Sequence, residues 1–318
     1  MGRHLFLTWL IIVLGPVLIG AAQQGGRPEA KGEPLQPDWC RNLPRAGYSR
    51  LERIPAGDDW FEVYQIRPGV FAIYEPHQYE EVISYLIVGS RRALLFDTGM
   101  GMGDIRQVVT RLAPVPVTVL NSHTHFDHIG GNWQFPEILG LDTSFTRHNA
   151  GGASHEQLRE AVMPDRFCGK KPAGFNTESY AIPPFKISRY VTDGELINLG
   201  DRHLRVLLTP GHAPDALCLM DEKNRLLFSG DTFYAGPIFL YVPETDLAAY
   251  MRSADRLAEL VPQLDLVLPS HNFPEAAPEM LTRLAEAFHQ VQSGKAQSTI
   301  TGSRREYKFD GFSFLMAQ

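Results

Sequence analysis

Apolar and polar positions start to alternate near Trp60. Residues 61–66 (Phe-Glu-Val-Tyr-Gln-Ile) alternate, and 70–74 follow after the Pro68-Gly69 turn signal. Residues 82–88 and 93–96 come next, separated by Gly89-Ser90-Arg91-Arg92. Short β-branched and aromatic runs punctuated in this way predict an antiparallel meander. A helix is predicted over 104–112, a buried strand over the apolar run 115–120, and the start of a helix within 129–135. The period is then lost from 142 to 190, where Gly, Pro and Ser are frequent and only 154–162 has a helical patch. Loops this long usually carry function or are disordered, and this one reads as a lid or pocket segment. Strands follow at 195–199, 203–208, 216–220 and 225–229. A helix over 245–260 has Leu247, Met251, Ala254, Leu257 and Ala258 at helical spacing. The pattern closes with a strand at 264–268, a helix at 275–292 and a strand near 309–315. With neither an internal repeat nor a linker, residues 60–318 read as a single domain.

The first 59 residues differ in kind. Arg3 and His4 precede an almost wholly apolar run from 5 to 19, and Gly20-Ala21-Ala22 offers small residues at its end. That is the layout of a signal peptide over 1–22, cleaved after Ala22, and it predicts a periplasmic or secreted protein with no stable membrane association once cleaved. An uncleaved anchor is the alternative, because the run is near bilayer-spanning length. Residues 23–59, rich at first in Gly, Pro and charge, read as a flexible lead-in. Export implies an oxidising compartment. Cys218 lies in an apolar strand-like run and is expected to be buried, whereas Cys40 and Cys168 sit in loop-like surroundings and are candidates for a disulfide. The net charge of −6 gives no basic footprint for nucleic acid.

Chemistry concentrates in His123-Thr124-His125-Phe126-Asp127-His128, directly after the predicted strand and just before Gly130-Gly131. Three imidazoles and a carboxylate at a strand end suit zinc and similar ions, whereas soft copper or iron–sulfur sites require thiolates. Three later strands also run into a polar residue beside Gly or Pro. They lead to Thr209-Pro210-Gly211-His212, to Gly230-Asp231-Thr232 and to Pro269-Ser270-His271. Their repetition points to convergence on one site. His4, His77, His148, His155, His203 and His289 fall outside the pattern. No Gly-x-Ser-x-Gly elbow and no Ser-x-x-Lys motif is present, so a protein nucleophile is not called for.

This series of motifs, with Asp97-Thr98-Gly99 upstream, resembles the metallo-β-lactamase-fold hydrolases over roughly residues 60–290. The resemblance implies an α+β fold, a four-layer αβ/βα sandwich of two mixed β-sheets with flanking helices and the metals at one edge. It implies two zinc ions per chain, the first held by His123, His125 and His212, the second by Asp127, His128 and His271, with Asp231 bridging them. Asp97 would orient a ligating histidine, Asp127 would orient the attacking water and move its proton, and Tyr234 is a weaker candidate for stabilising the developing oxyanion. The implied function is hydrolysis of an ester, lactone, thioester or amide carbonyl in a small-molecule substrate. Dinuclear enzymes that open β-lactams carry Cys or Ser at the position of Asp231, and an aspartate there matches lactonases and glyoxalase II-like thioesterases instead. A mononuclear iron persulfide dioxygenase, whose ligands are a subset of these, and a true metallo-β-lactamase are the alternatives. A closed, non-catalytic zinc module is disfavoured by the absence of ligating cysteines.

Overall fold

The computed structural model describes residues 37–318. The predicted signal peptide, His4 and the first part of the lead-in lie outside the described residues. Eight strands form the first sheet in chain order: β1 (Glu52–Ile54), β2 (Glu62–Arg67), β3 (Val70–Tyr74), β4 (Ile83–Val88), β5 (Ala93–Phe96), β6 (Val117–Leu120), β7 (Ile138–Gly140) and β8 (Arg189–Tyr190). Pairing is antiparallel from β1 to β5 and parallel from β5 to β8. Parallel neighbours need crossovers. The crossovers contain α1 (Ile105–Leu112), α2 (Phe126–Ile129), and then α3 (Ser144–Asn149) with α4 (His155–Leu158).

The second half makes β9 (Leu196–Asn198), β10 (His203–Leu208), β11 (Leu217–Asp221), β12 (Leu226–Gly230), β13 (Gly236–Leu240), β14 (Leu266–Pro269), β15 (Thr299–Thr301), β16 (Arg304–Lys308) and β17 (Phe312–Ala317). A five-stranded sheet runs β14-β12-β11-β10-β9, and a four-stranded sheet runs β13-β17-β16-β15. The helices of this half are α5 (Leu247–Ala258), capped by the Asp246 carboxylate on the Ala249 N–H, and α6 (Glu279–Gln292).

Strand periodicity assigns the layers. Tyr64, Ala72, Tyr85, Phe96 and Leu120 face Leu204, Val206, Leu219, Phe228 and Leu268 across the gap between the two large sheets. The alternate residues Val63, Ile73, Leu86, Leu95 and Val119 pack under Ile105, Val108 and Val109 of α1. On the far side, Leu207, Met220, Leu227 and Val267 are covered by Tyr250 and Leu257 of α5, by Leu284 and Phe288 of α6, and by Phe314 of β17. The order is therefore helices, sheet, sheet, helices.

Several expectations shift. From Pro37 onward the supposed lead-in is packed: β1 extends the first sheet, Tyr48 is buried against Tyr64 and Tyr74, and Cys40 is disulfide-bonded to Cys168. The expected helix at 129–135 is instead α2, placed earlier, followed by a single 3-10 turn at Asn132–Gln134. The last helix starts four residues later than expected. Ala276 bridges to Val267 before it, and Pro278 precedes its first turn. Residues 142–190 are not loose: Leu158, Val162, Phe167, Tyr180 and Ile182 enter the core beneath the first sheet.

Candidate metal centre

The first sheet and the five-stranded sheet bring their strand ends to one edge, and the candidate ligands sit there. His123 and His125 follow β6, and Asp127 and His128 begin α2. His212 follows β10, Asp231 follows β12, and His271 follows β14. Positive φ at Gly211 (142°) and Gly230 (52°) lets the chain turn just before His212 and Asp231. A Cβ at Gly211 would lie 2.3 Å from the Tyr250 backbone, so this approach admits only glycine.

The ring nitrogens divide by direction. His125 Nδ1 lies 2.8 Å from His123 Nε2 and 3.1 Å from His212 Nε2. His128 Nε2 lies 3.3 Å from His271 Nε2, 3.4 Å from Asp127 Oδ2 and 3.4 Å from Asp231 Oδ1. Asp231 Oδ2 lies 3.1 Å from His271 Nε2 and 3.6 Å from His212 Nε2, so its two oxygens face both clusters. The ligating atoms of His123, His125 and His212 fall within 4.8 Å of one another, as do those of Asp127, His128 and His271, and those of His123, His128 and Asp231. These distances bring together all seven residues expected from the sequence.

Each histidine has its other nitrogen engaged outside the cluster. His128 Nδ1 donates to Asp97 Oδ2 at 2.9 Å, His212 Nδ1 to the Phe239 carbonyl at 2.9 Å, and His271 Nδ1 to the Glu80 carbonyl at 2.6 Å. His125 Nε2 meets Glu244 Oε1 at 2.8 Å, and His123 Nδ1 meets the Ser122 hydroxyl at 3.0 Å. A proton held on the outer nitrogen leaves the inner lone pair free for a metal, with the ring fixed in orientation.

The charges fit a pair of dications. Burial, reinforced by the neighbouring imidazoles, pushes His123 well below the ordinary histidine pKa and His212 down to about 4, so both favour the neutral, ligating form. Burial also acts against charge on His128 and His271. There the carboxylates win: Asp127, Asp97 and Asp231 raise His128 well above its usual value, while Asp231 and Asp127 bring His271 to about 9. The field that holds a proton on that side also favours a cation. Asp231 Oδ1 is buried with no hydrogen-bond partner, which is costly unless the oxygen has a cation to bind. Carboxylate oxygens among imidazoles with no sulfur are a donor set that suits zinc and similar ions.

Asp97 ties three strand ends together. It is fully buried with φ +66°, a left-handed conformation uncommon outside glycine. Its Oδ1 accepts from the Ser122 N–H at 2.6 Å, and its Oδ2 accepts from the Ser270 hydroxyl at 3.1 Å as well as from His128. Tyr234 takes a different role from the one expected. Its hydroxyl donates to the Pro237 carbonyl at 2.6 Å and its ring packs 4.9 Å from the His271 ring, so the proton needed by an oxyanion is committed to the main chain.

Two supports were missed from the sequence. Glu244 reaches His125 from the loop before α5, and nothing in Val242-Pro243-Glu244 marks it as such. Asp215 accepts from the hydroxyls of Thr124 (2.6 Å) and Thr146 (2.9 Å), fastening the histidine loop to α3. Its place just after His212, in Ala213-Pro214-Asp215, was the available signal. None of the other described histidines joins the metal-ligand groups. His77 contacts the Cys168 carbonyl, His155 the Tyr180 carbonyl and His289 Asp255.

The centre opens into a cleft of about 630 Å³. Its walls include Trp39, Arg45, Tyr79, Leu158, Tyr241 and Arg304. Part of the predicted pocket segment thus lines the cleft.

Comparison with known proteins agrees with this geometry. The family model described as the metallo-beta-lactamase superfamily matches residues 81–271. The chain is 33% identical over 249 residues to an acyl-coenzyme A thioesterase MBLAC2 of Gallus gallus, covering 72% of this chain and 87% of that protein. The human acyl-coenzyme A thioesterase MBLAC2 is 29% identical over 248 residues with the same coverage. A crystal structure of a metallo-beta-lactamase family protein from Thermus thermophilus superposes with a TM-score of 0.52 at 23% identity, over 72% of this chain and 81% of the other, a likeness of fold. With motif, layer order and ligand geometry in agreement, the chain belongs to the metallo-beta-lactamase superfamily.

Proposed function

We propose that this chain is an exported, zinc-dependent hydrolase that cleaves thioesters of small molecules. The observation that carries the reading is the convergence of two ligand groups on either side of Asp231. His123, His125 and His212 would hold one zinc, and Asp127, His128 and His271 the other, with Asp231 between them. When bound, such a pair supplies a water deprotonated near neutral pH and a Lewis acid for the carbonyl. The chain's own contribution is alignment. The outer hydrogen bonds fix the imidazoles, and Asp127 keeps a low pKa, despite burial, because His128 and His271 face it. An ionised Asp127 at the cleft floor can accept the proton of the attacking water. Phe126, Phe239 and Val242 line the approach with apolar surface suited to an acyl chain. The aspartate at position 231 counts against a β-lactam, and the thioesterase relatives above favour the thioester over the lactone.

The test is a hydrolysis panel on the zinc-loaded mature protein. Acyl thioesters are expected to turn over faster than lactones, β-lactams and phosphodiesters, with activity lost to a chelator and restored by zinc at two ions per chain. One tightly held iron, together with oxygen consumption on persulfides, would overturn the reading.

Export is part of the proposal. It is supported by the charged-then-apolar start of the sequence and by the Cys40–Cys168 disulfide, whose Cα atoms lie 5.5 Å apart, since disulfides persist in oxidising compartments. Intact-mass analysis of protein recovered from its native compartment should give an N-terminus at Gln23. Retention of Met1 would sink the idea of cleavage.

A further inference from the structure

Two arginines on the cleft wall lack the partner that arginines in such places usually have. Arg45, on the same cleft, is neutralised by a forked pair with Glu81, Nε lying 2.8 and 3.0 Å from the two oxygens. Arg166 and Arg304 have no carboxylate within 4.0 Å among the described residues, although Glu80 and Glu160 share the cleft. Both guanidinium groups lie over tyrosine rings, Arg166 at 4.5 Å from the Tyr79 centroid and Arg304 at 3.5 Å from that of Tyr241. Arg166, Arg304 and the two tyrosines beneath them all line the same cleft.

The platform under Arg166 is stitched firmly. The Tyr79 N–H donates to the Arg166 carbonyl at 2.9 Å and the Cys168 N–H to the His77 carbonyl at 2.9 Å. The Cys40–Cys168 disulfide ties in Trp39, whose indole donates to the Asp165 carbonyl at 2.9 Å and meets the Tyr79 ring edge-on at 5.9 Å. Arg166 ends a 3-10 turn at Pro164–Arg166, whereas Arg304 arrives from β16 in the four-stranded sheet. A guanidinium stacked on a ring keeps its in-plane N–H donors free and is already oriented, the arrangement suited to the paired oxygens of a phosphate.

We propose that Arg166 and Arg304 form a phosphate-binding wall that holds the leaving-group arm of the substrate while the acyl end lies over the metal centre. This rests on the thioesterase reading. The arm is therefore the thiol side of the thioester, and it carries phosphate.

The test compares two thioesters with the same acyl chain: an acyl-coenzyme A, whose thiol arm carries phosphates, and the acyl N-acetylcysteamine thioester, whose arm is neutral. In Arg166→Gln and Arg304→Gln the ratio of their kcat/KM values should fall about 10- to 100-fold, through KM, as expected for losing a charge-assisted hydrogen-bonding group. The two sit on separate segments, so each single variant reports independently. An equal fall for both substrates, leaving the ratio unchanged, would mean that the arginines only tune the metal centre, and would overturn the proposal. A second measurement avoids turnover: the Kd of adenosine 3′,5′-bisphosphate for the zinc-loaded protein should rise at least ~10-fold in the double variant. No binding to the wild type, or an unaltered Kd, counts against the wall. If the bisphosphate binds through the arginines and no thioester is hydrolysed, the wall stands and the thioesterase reading falls.

Discussion

Asp231→Ala is expected to lower hydrolysis by more than ~100-fold, the cost of one strong electrostatic stabiliser, and to take bound zinc from two per chain towards one. Asp231 stands between the ligand clusters: Oδ1 lies 3.4 Å from His128, and Oδ2 lies 3.1 Å from His271 and 3.6 Å from His212. Alanine removes a negative charge from between two dications and one ligand from each. Their repulsion rises in a buried site where charges interact more strongly than in water. His123, His125 and His212 remain a three-imidazole set, whereas Asp127, His128 and His271 include one carboxylate already shared with the cluster's proton balance. The second ion should be lost first. Asp231→Cys should keep more metal than alanine, because a thiolate can still bind one zinc. The fold should survive in both, since Asp231 lies just past β12 and the sheet is held by Leu226, Leu227 and Phe228 in two cores. Near-normal activity with two zincs in Asp231→Ala would mean that the residue is only a turn after Gly230.

The centre was legible in the sequence to a greater extent than the sheets were. Ligands cluster at the ends of buried strands, and buried strands are the ones with strong apolar signals: β2 to β6, β10 to β12 and β14 all lie near their expected positions. The strands that went unread are short or polar. β7 and β8 have three and two residues, too few to show a period. β16 reads Arg-Arg-Glu-Tyr-Lys, without an apolar face, and is held by its register with β17. β13 begins at Gly236-Pro237 and owes its strand form to parallel pairing with β17, far along the chain. Distance in sequence also hid Glu244, since no local pattern shows which carboxylate will stand behind a histidine. Tyr234 failed for the opposite reason. Its spacing from Asp231 was suggestive, but the Pro237 carbonyl only three residues on captured the hydroxyl.

Asp97→Asn should weaken binding of the second zinc by about 10- to 100-fold, the usual effect of changing a carboxylate behind a ligating histidine, with a much smaller effect on folding. Asparagine tolerates the left-handed backbone at φ +66°, and its carbonyl oxygen can still accept from the Ser122 N–H. The amide nitrogen then faces the Ser270 hydroxyl, which can turn to accept, and His128 Nδ1, whose N–H cannot. His128 can relieve that clash by moving its proton to Nε2, the nitrogen 3.3 to 3.4 Å from His271, Asp127 and Asp231. A proton there occupies the lone pair that the metal needs. Asp97→Ala differs in kind: it keeps the strained φ, which costs about 1–3 kcal/mol, and leaves the buried Ser122 N–H without its acceptor, for about 1–3 kcal/mol more. Metal-free thermal melts should therefore rank wild type close to asparagine and well above alanine. Chelator competition should rank both variants below wild type for the second zinc only. Wild-type affinity for both zincs in Asp97→Asn would show that the carboxylate does not set the His128 tautomer and serves only to join the ends of β5, β6 and β14.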